Sequence, residues 1–229
     1  MNQQYDQSTG ALENTRLTVA QSPVEVRLNF IRKTYALFTA GILMSIIGGA
    51  VSLTTPLGDM VLSLAPWSFL SIFLFVIAAS ALSRTEGLNY VALFGFTFVT
   101  GVIFAPIVAF YSPAVVGQAA FLTLIVFGSL TGYAFASRKD FSYLGGFLFV
   151  GLIALILGGL ANMFLFKSGG ASYWMAWITV FLFSGFVLYD TSQIIHRYDE
   201  RGYCAAALSL FLDFFNLFMA ILRIFGGRN

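Results

Sequence analysis

Two aspartates stand where the surrounding sequence is apolar. Asp190 lies in GFVLYDTSQII and Asp213, twenty-three positions later, in SLFLDFFNLF. Two carboxylates brought together can do three kinds of chemistry. They can share one proton and so respond to pH, because like charges in contact do not both ionise cheaply. They can offer oxygens to a hard cation such as calcium, which takes about six to eight oxygen ligands in a tight site. They can also activate water, as aspartyl proteases do. A lone charged Asp at mid-membrane depth costs about 2.5–3.5 kcal/mol on insertion scales, so a membrane chain that keeps two needs a reason.

The elements that must position them are membrane helices. Of the 229 residues, 59% are hydrophobic, 17% aromatic and only 10% charged, and the mean hydropathy is +0.86. A soluble domain carries about 25% charged residues, so this composition describes a multi-pass membrane protein in contact with the lipid bilayer. The net charge of +2 is too small to point to nucleic acid as a partner, and the single cysteine, Cys204, excludes an intrachain disulfide. Residues 1–28 read as a polar cytoplasmic tail and 29–229 as one transmembrane domain. Seven apolar runs are each long enough to cross: 34–54, 61–83, 89–111, 115–136, 143–166, 173–195 and 204–225. They are continuous rather than alternating, which predicts helices and not strands.

Basic residues orient the bundle. Arg16, Arg27, Arg32 and Lys33 precede the first span, and Arg84, Arg138, Lys139, Arg197 and Arg201 fall in the even loops. The odd loops hold only Lys167. The positive-inside rule then places the N-terminus in the cytoplasm. Gly41, Ser45 and Gly49 in the first span, and Gly128, Gly132 and Ala136 in the fourth, have the spacing of close helix packing. Pro106 interrupts the third span. Trp67, Trp174 and Trp177 sit near the outer span ends, as interfacial anchors do.

Depth brings the aspartates together. Asp190 lies six residues above the inner end of span six, roughly 9 Å deep, and Asp213 lies nine residues into span seven, roughly 13 Å deep. Helices joined by a short loop are neighbours. Ser209, Asp213, Asn216, Ala220 and Arg223 form one small and polar face of the last span, and Asp190, Gln193 and Arg197 one face of the sixth. Arg84 ends span two at a depth that suits a carboxylate partner. The plainer alternative makes Asp190 an ion-pair partner of Arg197 and Asp213 an interhelical hydrogen bonder.

LYDTSQIIHRY followed by ALSLFLDFFNLFMAILRIFG resembles the closing motif of the transmembrane Bax inhibitor motif family. VRLNFIRKTYALF, FGFTFVTGVIFAPIV and SRKDFSYLGGFL extend the resemblance over roughly residues 28 to 227, and bacterial members look most similar. It implies a seven-helix bundle with the last helix central and wrapped by the other six. It implies a pH-sensitive calcium leak in the bacterial inner membrane, its di-aspartyl sensor on Asp190 and Asp213. Calcium would bind there weakly, as the transported ion with protons as the gating partner, and no cofactor is tightly held. The family's latching arginine falls on Arg84; with one gap placed differently that position is Ser83. The alternative is a non-transporting regulator that binds other membrane proteins. Tyr189-Asp190 also fits an intramembrane aspartyl protease, but Leu210-Phe211-Leu212-Asp213 lacks the glycines of that motif. No enzyme activity is expected.

Overall fold

The computed structural model describes residues 18–227 apart from positions 65, 66, 86, 138 and 167, and of 67–70, 72 and 73 only the backbone. Arg16, Arg138, Lys167, Arg228 and the Trp67 side chain therefore lie outside the described residues. No β-strand occurs among the described residues. The helices are α1 (Val24–Thr54), α2 (Leu57–Ser63), α3 (Trp67–Leu82), α4 (Asn89–Val108), α5 (Pro113–Ser137), α6 (Gly145–Ala161), α7 (Gly169–His196) and α8 (Tyr203–Gly226). Six stretches are long and apolar enough to cross a membrane: α1, α4, α5, α7, α8 and the segment 142–166 that contains α6.

The second expected span, 61–83, is not one helix. The chain there forms the short α2 and the 16-residue α3, and α3 extends only about 24 Å at 1.5 Å per residue. The sequence between them contains a proline, a residue type that removes a backbone donor and disfavours helix at the preceding position. The expected tail also ends early. Val19 is fully buried, its N–H donates to the Tyr198 carbonyl at 2.9 Å, and Thr18 bridges to Asp199.

α8 is the core of the bundle. Of its most apolar 18-residue window 61% is buried, against 6–44% in the other spans. It packs on α1, α4, α5 and α7, while α3 rests on α4 and α6 on α7. The wrapping is thus four helices deep against α8, with two in an outer tier. Small residues make the position possible: Cys204, Ala205, Ala206, Ala207 and Ala220 are all buried. Tyr203 at one end of α8 meets Tyr90 at the start of α4. At the other end Gly226 packs on Tyr111, just beyond α4. The last helix therefore runs the full length of its neighbour.

α1 and α4 approach to backbone contact. A Cβ on Gly101 would stand 1.9 Å from the Ser45 carbonyl oxygen, and one on Gly48 would stand 2.2 Å from that of Phe98. This bears out the small-residue reading of Gly41, Ser45 and Gly49. The matching reading of Gly128, Gly132 and Ala136 is corrected: nothing lies within 4 Å of a Cβ on either glycine, and the three are exposed on an outward face. Pro106 leaves the Val102 carbonyl without its helical donor, and the buried Ser52 hydroxyl of α1 donates to it at 2.8 Å.

Candidate functional site: a buried aspartate pair

α7 and α8 are antiparallel neighbours joined by the short loop 197–202. Gly202 begins the last helix, and its carbonyl accepts the Ala206 N–H at 3.0 Å. With that hinge set, depth along each helix follows from residue count. Asp190 and Asp213 meet, and their carboxyls share a hydrogen bond. Asp213 is 3% exposed; Asp190 is half-buried. A hydrogen bond between two carboxyls requires a proton on one of them, so two carboxyls set this close suit the sharing of one proton. Asp213 Oδ2 is buried and accepts no hydrogen bond from a hydroxyl or N–H group.

Around the pair, Leu210, Phe211 and Leu217 are almost fully buried. Tyr198, in the loop that follows α7, lies within electrostatic reach of both aspartates. Its hydroxyl lies 3.4 Å from Ser209 Oγ, and its ring tilts against Phe30 with centroids 6.3 Å apart. Burial pushes the Tyr198 phenol up to about 12, and the nearby Asp190 adds to that, so this phenol stays neutral and can donate.

The other expected residues fall in distinct places. Ser209 is engaged by Tyr198. Asn216 Nδ2 donates to the Leu212 carbonyl of its own helix at 2.8 Å. The Gln193 carbonyl accepts the N–H groups of both Arg197 and Tyr198, at 2.8 and 3.1 Å, and ends α7. Arg84 is exposed and forms no ion pair with either aspartate; it lies within electrostatic reach of Tyr198. Ser83 is the buried residue at that turn, 3% exposed, and its hydroxyl donates to the Ser80 carbonyl at 2.9 Å. An ion pair of Arg197 with Asp190 is not formed either, because Arg197 pairs with Asp140 at 3.4 Å and donates to Ser142 at 2.9 Å. The Ser142 backbone N–H bonded to Asp140, together with its side chain and Arg197, holds that carboxyl below its ordinary range. α8 runs unbroken through Leu210-Phe211-Leu212.

Sequence reasoning missed the Asp140–Arg197 clamp. Asp140 lies in a polar loop, where nothing in spacing singles it out. It also missed Thr34, Tyr35, Thr131 and Thr191, whose side-chain oxygens are buried without hydrogen-bond geometry to a partner. Four hydroxyls in apolar helices were the available signal.

Among the described residues no third His, Cys, Asp or Glu joins the pair to make a metal cluster. A divalent cation here would draw its remaining oxygens from hydroxyls, carbonyls and water.

Residues 27–229 match a family model described as inhibitor of apoptosis-promoting Bax1. The chain is 34% identical to Bax inhibitor 1 of Schizosaccharomyces pombe over 212 residues, 91% of this chain and 80% of that protein. It is 32% identical to protein lifeguard 4 of Mus musculus over 216 residues, 92% and 90% of the two chains. It is also 33% identical, over 94% of its length and 98% of the other's, to a Vibrio cholerae protein described as an uncharacterized membrane protein.

Proposed function

This chain belongs to the Bax inhibitor family, and from that premise we propose that it is a pH-sensitive calcium leak pathway whose gate is the pair Asp190–Asp213. The observation that carries the reading is the hydrogen bond between two carboxyls inside the bundle, with Asp213 3% exposed. Such a pair is rarely retained for stability alone, since buried ionisable groups are expensive in a membrane. Loss of its shared proton creates repulsion between two charges at contact, which a conformational change or a cation relieves.

Arg84 is the latch in this reading. With the proton shared, Arg84 lies outside, as in this structure. When the pair is ionised, the guanidinium moves past Tyr198 toward Asp190 and holds the end of α3 shut. At an effective dielectric of about 20, charges 4 Å apart attract by roughly 4 kcal/mol before desolvation. A net remainder of about 1.4 kcal/mol shifts a closed–open equilibrium tenfold. Calcium passes as a transient occupant of the aspartate oxygens, without a resident metal. The membrane is the bacterial inner membrane, with the Lys33 and Arg84 end cytoplasmic. Orientation is checked by a Tyr143→Cys reporter in a Cys204→Ala background: labelling by an impermeant reagent from outside refutes it.

The experiment for function is calcium entry into proteoliposomes at stepped pH. Flux that rises as the pair takes up protons supports the leak. No flux above protein-free vesicles at any pH leaves the second reading, a regulator that binds other membrane proteins, which the name Bax inhibitor 1 of the fission-yeast relative favours.

A further inference from the structure

The Lys33 ammonium is held by aromatic side chains from two other helices. Its Nζ stands 3.6 Å over the Tyr203 ring and interacts with the hydroxyls of Tyr203 and Tyr90. The Tyr90 hydroxyl donates to that of Tyr203 at 3.4 Å. Among the described residues no carboxylate pairs with Lys33. An ammonium has three N–H donors, and a ring face takes up only one side of it. Lys33 and Tyr90 are both exposed, so an anion can reach them. An apolar groove begins at the same tyrosine. Its volume is about 550 Å³, and Met44, Tyr90, Val91, Phe94, Gly95 and Phe98 line it. Lys33 and Met44 are eleven residues apart on one face of α1, and the α4 residues recur at helical spacing. α1 and α4 run parallel, since Gly41 meets Thr97 and Gly49 meets Ala105. Ammonium and groove therefore follow one another along a single cleft. The cleft stays open at Gly95, where nothing lies within 4 Å of an added Cβ. From Tyr90 to Phe98 it descends roughly 12 Å at 1.5 Å per residue, which lies within one leaflet of a hydrocarbon core about 30 Å thick.

We propose that this cleft binds one anionic phospholipid, its phosphate at Lys33, Tyr90 and Tyr203 and one acyl chain in the groove between α1 and α4. Polarity is divided along the cleft as it is along such a lipid. A cation and two hydroxyls stand at one end, and below Tyr90 the lining is apolar throughout. Tyrosine rings sit at headgroup level in membrane proteins, apolar body inward and hydroxyl outward. A zwitterionic headgroup carries its own ammonium, which Lys33 repels. A free phosphate gains nothing from the groove. A basic side chain at the membrane surface favours an anionic lipid by about fivefold. The inference is independent of the aspartate pair and of calcium movement.

Photo-cross-linking in nanodiscs of phosphatidylcholine tests it. The probe is phosphatidylglycerol with a diazirine in one acyl chain. Irradiation should attach it to Met44 or to α4 between Tyr90 and Phe98. The phosphatidylcholine probe with the same chain should label these positions about fivefold less. Lys33→Gln changes an exposed side chain and leaves the groove intact, and it should bring the two probes to equal labelling. Gly95→Leu fills the groove from a position with open space around it, and should cut labelling by both probes about fivefold or more, whereas Gly95→Ala should keep it. Equal labelling by the two probes in the parent, or a preference that survives Lys33→Gln, marks ordinary surrounding lipid and overturns the inference. Labelling unchanged in Gly95→Leu overturns it as well. So does competition by water-soluble glycerol phosphate, which would mark an anion site without a lipid chain. Absence of labelling in the groove, as a second copy of the chain seated there would give, is equally fatal. The Lys33→Gln comparison decides by itself should Gly95→Leu fail to fold.

Discussion

Two carboxylate sites lie along the same helix and resolve their charge in opposite ways. Asp190, inside the bundle, shares a hydrogen bond with Asp213, and among the described residues no cation pairs with it. At the C-cap of α7, Arg197 takes Asp140 instead, in a pair whose side chains are 58% and 46% exposed. A cation also stands at the edge of the inner site, since Arg84 lies within electrostatic reach of Tyr198, which in turn lies within reach of Asp190. What differs is solvent. At the surface water screens the charges and a guanidinium approaches at little cost. In the interior an ion pair must first pay for desolvating both partners, and a shared proton is the cheaper neutralisation. A carboxylate's partner is thus decided by depth before it is decided by sequence neighbours.

The strongest way to break this comparison is to remove one member of the inner pair. Asp213→Asn keeps shape and hydrogen bonding but cannot share a proton as an acid. Calcium flux that changes about tenfold across the pH range in the parent should vary less than twofold in the variant. Asp140→Asn should leave the profile in place. An intact profile in both Asp213→Asn and Asp190→Asn puts the sensor elsewhere.

Arg84→Ala comes next. It should raise flux up to about tenfold at high pH, where the pair is ionised and the latch engaged, and change little at low pH. Lysine should rescue in part, lacking the planar fork. Flux equal to the parent's at every pH removes Arg84 and leaves the pair standing.

Ser52→Ala calibrates what an ordinary buried hydrogen bond is worth in this fold. It strands the Val102 carbonyl and should cost about 1–3 kcal/mol, read as a lower melting temperature, without moving the pH profile. A moved profile would mean that α1–α4 packing, and not the carboxyls alone, sets the response.

The outer clamp gives the smallest effect. Asp140→Asn or Arg197→Gln should cost at most about 1 kcal/mol, as exposed pairs do. The sign follows from the lowered Asp140 carboxyl: its stabilisation is present above the ordinary carboxylate range and is lost as pH falls through the folded value. The stability difference between parent and Asp140→Asn should therefore be seen at neutral pH and vanish in acid. A difference that grows in acid contradicts the assignment.

Much of this was legible in the residues. Composition settled a helical membrane protein, because so few charges cannot cover a soluble surface. Residue count along α7 and α8 placed Asp190 and Asp213 at matching depth, because rise per residue is constant. The spacing of Gly41, Ser45 and Gly49 announced a tight helix contact, though the same spacing at Gly128 and Gly132 faces outward. What composition and spacing cannot carry is rotation about a helix axis and the choice of neighbour. Those depend on which ridges meet which grooves across distant segments. Only the folded chain could show that Arg197 turns to Asp140, that Arg84 stays outside, and that Ser52 answers Pro106. Depth is a one-dimensional property and is written in the sequence; partnership is three-dimensional and is decided by packing.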